Sequence, residues 1–251
     1  MFVATLASGS LANSLFIRSG DTRLLVDAGL GVRALLFALQ ELGEQPQDLS
    51  AIFITHEHSD HTKGLNSLLK KTQAPVYATT GTLTALSPGF MRRQKAFPIN
   101  GTLVDVGPFT VRALHVSHDA AEPAAYQIHC GHEVLTVATD LGEVSPDLHD
   151  AFAESTIAVI ESNHDEELLR TGPYPELLKQ RIASHTGHLS NRQTADVLRS
   201  CKKLKHTVLA HLSEENNHPD LARASARTAL DNPEIAVHLT AQKTLGPILT
   251  L

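Results

Sequence analysis

Four ligand-type side chains fall within six residues at His56-Glu57-His58-Ser59-Asp60-His61, directly after the apolar run 51–54 and directly before a helix-like stretch. This motif constrains the chain more than any other feature. At the end of an extended strand alternate residues share a face, so His56 and His58 point to one side, while the turn into the helix re-aims Asp60 and His61. Imidazole nitrogens and a carboxylate are the donors that zinc and related first-row ions accept. A polar loop that is rich in histidine by chance is the plain alternative. The strand-motif-helix context is what a metal motif requires and a random loop does not.

The rest of the chain must supply a core that presents this motif. Its 251 residues are 42% hydrophobic and 19% charged, long enough for a core and too apolar for disorder. No linker-like stretch divides it, so one domain over 1–251 is expected. Strands are predicted at 2–6, 14–17 and 23–26, with Ser19-Gly20-Asp21 as a tight turn. A helix over 31–42 stops at Gly43; then follow a strand at 51–54, a helix over 62–71, a strand at 75–78 and a helix over 79–86. Strands at 103–106, 110–116, 124–128 and 134–138 come next, and strands at 157–160 and 207–210 flank helices near 175–183 and 191–200. Strands followed by helices in both halves predict an α+β arrangement of two packed sheets with outer helices.

Lys and Arg number 21 against 27 Asp and Glu, a formal charge of -6, which argues against a generic polyanion binder. Any nucleic-acid contact must be local. The basic groups available for it are Arg92-Arg93-Lys95, Arg199-Lys202-Lys203-Lys205, Lys70-Lys71, Lys179, Arg181 and Arg192. With few aromatics and no Trp, a duplex held by its phosphates fits better than stacked single strands. Cys130 and Cys201 have no metal-type spacing and suit a reducing cytoplasm. The first 17 residues carry no basic residue and read as a strand and loop, and no apolar run reaches the ~18 residues of a membrane span. A soluble cytoplasmic protein with no membrane partner is expected.

The His-X-His-X-Asp-His pattern resembles the signature of the metallo-β-lactamase fold, and the likeness extends over most of the chain. The resemblance implies a four-layer αββα sandwich holding two divalent ions, for which zinc and manganese are both suitable. Val26-Asp27-Ala28-Gly29 is similar to that superfamily's early aspartate motif, whose carboxylate orients a ligating histidine from behind. The resemblance assigns His56, His58 and His118 to one ion, and Asp60, His61 and His211 to the other. Asp140 bridges them, and a bridging water or hydroxide is the nucleophile, with Asp60 helping to orient it. His115 competes with His118; the two point to opposite faces of a strand, and His118, at its end, is favoured.

Within the superfamily, 117–123, Glu161-Ser162-Asn163-His164-Asp165, Gly187-His188-Leu189-Ser190-Asn191 and 210–217 resemble the YycJ (WalJ) group of short bacterial exonucleases. True β-lactamases carry cysteine where Asp140 stands, and the second motif of glyoxalase II is absent. The interval from Asp140 to His211 is too short for the cap domain of β-CASP nucleases. The resemblance therefore implies a 5′-to-3′ exonuclease on double-stranded DNA, with DNA replication or repair proteins as partners. The alternatives are a small-molecule phosphodiesterase, a (thio)ester or lactone hydrolase, or an RNase Z-like ribonuclease. Gly187-His188-Leu189-Ser190 is similar to an RNase Z loop whose histidine serves the leaving oxygen, so His188 is either a general acid or a loop-filling residue. His164 is a phosphate contact, a support for the metal site or a surface histidine. Ser8, Ser10 and Asn13 either offer donors to a terminal phosphate or simply form a turn.

Overall fold

The computed structural model describes residues 1–86, 90, 95–242 and 245–251. Two seven-stranded sheets face each other. The first runs in the order β14-β1-β2-β3-β4-β5-β6 and contains β1 (Phe2–Ala7), β2 (Ser14–Ser19), β3 (Thr22–Val26), β4 (Ala51–Phe53), β5 (Val76–Ala78), β6 (Ala96–Pro98) and β14 (Ile248–Thr250). The second runs β13-β12-β11-β10-β9-β8-β7, with β7 (Leu103–Val106), β8 (Phe109–His115), β9 (Ala124–Cys130), β10 (Glu133–Ala138), β11 (Ile157–Glu161), β12 (His206–Ala210) and β13 (Ala236–Leu239). Each sheet begins as an antiparallel meander and continues as a parallel array: β1 to β3 then β3 to β6, and β7 to β10 then β10 to β13.

Three apolar clusters make the layers. Ile17, Leu24, Phe53 and Val26 of one sheet interdigitate with Val111, Tyr126, Ile128 and Val159 of the other. Leu25 and Ile52 face outward onto α1 (Val32–Glu41), α3 (Leu65–Leu68) and α4 (Thr80–Leu86). On the far side Ala158 and Ile160 meet α5 (Pro146–Glu154), α8 (Asn191–Leu198) and α9 (Pro219–Ala229). Because the central parallel strands are covered on both faces, they are largely apolar: Ile157–Glu161 is buried at every position, and only its last residue carries a charge. The four-layer αββα sandwich expected from the resemblance is thus observed.

The predicted helix over 62–71 is instead two single turns, α2 (Ser59–Thr62) and α3, broken at Gly64. There the Gly64 N–H donates to the Ala28 carbonyl at 2.8 Å, and a Cβ would meet the Leu30 carbonyl oxygen at 2.2 Å. Tertiary contact with the loop after β3 overrides helical periodicity. Several elements had no sequence assignment: β6, β13, β14, α5, α6 (Glu166–Thr171) and α9. Two of these helices carried readable starts, for Pro occupies a first-turn position after Ser145 and after His218. The helix expected near 175–183 is α7 (Glu176–Ile182).

The active edge is held together by main-chain contacts among the loop between β1 and β2, the loop after β3 and the histidine motif. Ala28 N–H donates to His61 O, Asn13 N–H to Asp60 O and Gly29 N–H to Asn13 O, at 2.7–3.0 Å. A Cβ on Gly29 would sit 1.6 Å from the Asp60 carbonyl oxygen, so only glycine permits this approach. Gly29→Ala should lower stability by at least ~1–3 kcal/mol, measured by denaturant unfolding. Gly31→Ser, where a Cβ meets nothing within 4 Å and a helix-capping hydroxyl is gained, should be neutral or stabilising.

Candidate metal centre

The parallel strands, together with β8, deliver their C-terminal ends to one edge of the sandwich, and each end carries a polar side chain. Asp27 follows β3, His56 follows β4, Asp140 follows β10, Glu161 ends β11, His211 follows β12 and His118 follows β8. Among the described residues only three non-glycines have positive φ, and all three stand here: Asp27 at 63°, Asp140 at 58° and His211 at 54°. A left-handed residue at a strand end turns the chain sharply and aims its side chain inward, at a cost of ~1–2 kcal/mol. Such strain persists where surrounding contacts over-determine it.

Donor atoms of His56, His58 and His118 lie within 4.8 Å of one another, as do those of His56, His61 and Asp140, and those of Asp140, Glu161, His188 and His211. Asp140 joins the groups: its Oδ2 is 3.0 Å from His61 Nε2 and its Oδ1 3.5 Å from His211 Nε2. Asp60 Oδ2 lies 3.3 Å from His61 Nε2. His115 is exposed, and His118, not His115, joins the cluster. Cys130 and Cys201 are free and stand outside it.

His61, His118, His188 and His211 are each fixed through Nδ1, which leaves Nε2 as the second donor of the ring. His61 Nδ1 bonds Asp27 Oδ2 at 2.8 Å, and Asp27 is itself braced by the Thr55 N–H and hydroxyl at 2.8 and 2.9 Å. His118 Nδ1 bonds the Thr186 carbonyl at 3.2 Å. Glu161 Oε1 takes both His188 Nδ1 at 2.8 Å and His211 Nδ1 at 2.7 Å, while its Oε2 accepts the N–H groups of Leu141 and Leu189. Ser8 Oγ accepts the His211 N–H at 2.8 Å from behind. The Asn13 amide lies 3.2 Å from Asp60 Oδ2 and 3.0 Å from His61 Nε2.

The donor set fits divalent cations. His56 Nε2 and His211 Nε2 are buried yet have no hydrogen-bond partner, a costly arrangement unless a cation completes it. The electrostatics agree. Burial drives His61 toward neutrality, but Asp27 and Asp140 outweigh it and hold the imidazole well above its ordinary range. Against burial, Glu161 raises His188 to about 9, and His188 with His211 holds Glu161 down to about 2. Burial holds His56 and His118 below the ordinary range, in the neutral form that ligates a cation, while the neighbouring carboxylates favour positive charge beside them.

A cavity of about 390 Å³ opens beside the cluster, lined by His118 and His188 of it and by Ser10, Asp119, Arg181, Tyr174 and Leu178 among others. His164 is buried, and lines a separate cavity of about 220 Å³ with Glu166, Arg170 and Lys179. Several of the basic residues are paired with acids. Lys202 meets Asp231, Lys205 meets Glu133, Arg199 meets Asp196 and Arg192 meets Glu166. Arg92 and Arg93 lie outside the described residues.

Glu161 had no role in the sequence reading. Its signal was nonetheless present: a carboxylate closing a strand of otherwise apolar residues, as Asp27 follows Val26. Glu161→Gln places an amide among four donors, so at least one bond must fail. Stability should fall by ~1–3 kcal/mol, and metal retention by ~10–100-fold, read by melting and by equilibrium dialysis.

Comparison with known proteins agrees with this geometry. A family model for the β-lactamase superfamily domain matches residues 22–212. The chain is 39% identical over 241 residues to exodeoxyribonuclease YycJ of Bacillus anthracis, covering 93% of this chain and 90% of that one. It is 36% identical to exodeoxyribonuclease WalJ of Streptococcus pneumoniae, over 92% and 89%. Among solved structures it resembles the metallo-β-lactamase fold protein YhfI from Bacillus subtilis, with TM-score 0.75, 20% identity and 99% and 98% coverage. The chain belongs to the metallo-β-lactamase superfamily, in the YycJ/WalJ family.

Proposed function

We propose that this protein is a metal-dependent exonuclease that degrades double-stranded DNA from the 5′ end. The observation that carries the reading is identity along nearly the whole chain with relatives named exodeoxyribonuclease. The clustered donors beneath an open cavity support it. We assign His56, His58 and His118 to one ion, Asp60, His61 and His211 to a second, and Asp140 to both; zinc or manganese suits this mixture of imidazole and carboxylate. When bound, such ions supply Lewis-acid activation of water and neutralise phosphodiester oxygens.

The chain's own residues do the rest. Asp27 and Glu161 hold three imidazoles in fixed orientation, so the donors are arranged before substrate arrives. Glu161, ionised down to about pH 2, keeps a proton on His188 Nδ1, and the His188 ring lines the cavity. From there His188 Nε2 hands a proton to the departing oxygen. The Asn13 amide fixes the Asp60 carboxylate beside His61. Among the described residues no helix is long and apolar enough to cross a membrane.

Three variants test the assignment on 5′-labelled and 3′-labelled duplexes. His58→Ala and Asp140→Ala should abolish digestion, and His188→Ala should slow it by ~10²–10⁴-fold with metal content retained. Undiminished digestion by all three would sink the assignment. A chelator should stop the parent protein, and added divalent metal should restore it.

A further inference from the structure

One short helix stands apart from the core. No residue of α7 is buried, and Leu177 on it is 81% exposed. Yet Leu178, Arg181 and Ile182, at helical spacing i, i+3 and i+4, all line the cavity over the histidine cluster, with Tyr174 just before the helix. The helix is tied to the chemistry. His188 N–H donates to the Ile182 carbonyl at 2.8 Å, and a Cβ on Gly187 would lie 2.2 Å from that same oxygen, so no side chain separates the two segments.

Arg181 is 63% exposed and donates through Nε and Nη2 to Asp119 Oδ2, at 3.1 and 2.6 Å. Three of its five N–H groups stay free of that pair. Asp119 Oδ1 in turn lies 3.3 Å from His118 Nε2. The guanidinium is therefore one carboxylate removed from a proposed metal ligand. It is also the one permanently charged cation lining this cavity among the described residues. At about 390 Å³ the space lies near the lower end of the ~300–1,000 Å³ range of ligand sites, the scale of a single small ligand such as one nucleotide.

We propose that this cavity receives the terminal nucleotide of the strand being digested, its base lifted from the duplex against Tyr174 and Leu178 and its terminal phosphate held by Arg181. The assignment rests on the nuclease reading and names the substrate feature that the site selects. A planar guanidinium grips a phosphate through two parallel N–H bonds, which a neutral side chain cannot replace. Removing the terminal base from its pair has an energetic cost that limits the reaction to frayed or opened ends.

The test compares duplexes with a 5′-phosphate and a 5′-hydroxyl end, using the metal-loaded parent protein and Arg181→Gln, with melting temperatures to confirm equal folding. The parent should prefer the phosphorylated end by about tenfold or more in kcat/KM, and Arg181→Gln should reduce that ratio to about one. Fluorescence anisotropy with phosphorothioate-blocked hairpins should give the same pattern in Kd. A parent that digests both ends equally, or a variant that keeps the parent's preference, overturns the pocket assignment while the nuclease reading stands. If the metal-loaded parent digests no DNA, the nuclease reading fails and the pocket assignment falls with it.

Discussion

Buried carboxylate–imidazole pairs at the ends of parallel strands organise this protein, and the rest of the active edge depends on them. Asp27 sets His61 and Glu161 sets both His188 and His211, each through Nδ1 at 2.7–2.8 Å. An imidazole whose Nδ1 is fixed presents Nε2 in one direction with no rotamer left to choose. The carboxylates are in turn held by main-chain N–H groups of Thr55, Leu141 and Leu189. Orientation thus passes from the sheet backbone to the carboxylate, to the ring, and to the atom that faces the centre.

Fixing those groups has a conformational cost, visible in the backbone. The left-handed turns at Asp27, Asp140 and His211 lie where the αββα sandwich brings strand ends of both sheets together. Gly29 and Gly64 allow the loop after β3 to lie directly on the histidine motif, and Gly187 allows α7 to lie directly on His188. Core packing on three levels supplies the stability that offsets this strain.

The charge distribution also takes its meaning from the fold. A net charge of -6 points away from DNA, yet several acids are turned inward to the cation site. Lys202, Lys205 and Arg192, which looked available on the sequence, are neutralised by Asp or Glu brought in from other elements. Arg181 reaches the cavity even though it too is paired, because Asp119 occupies only part of its donor fork.

The sequence by itself determined the metal motif, because His56, His58, Asp60 and His61 are neighbours whose strand-turn-helix setting is local. The strands were readable from β1 to β12 apart from β6, since buried strands stand out as short apolar or alternating runs bounded by turn residues. The short edge strands β6, β13 and β14, half-exposed and bounded by irregular chain, gave no such pattern. Tertiary structure alone decided that α2 and α3 are separate, that Ser8 stands behind His211, and that His164 lines another cavity. It also decided that Glu161 carries two histidines, 27 and 50 residues further along the chain. These relations join residues far apart in sequence, and no local periodicity encodes a contact that exists only once two sheets have closed on each other.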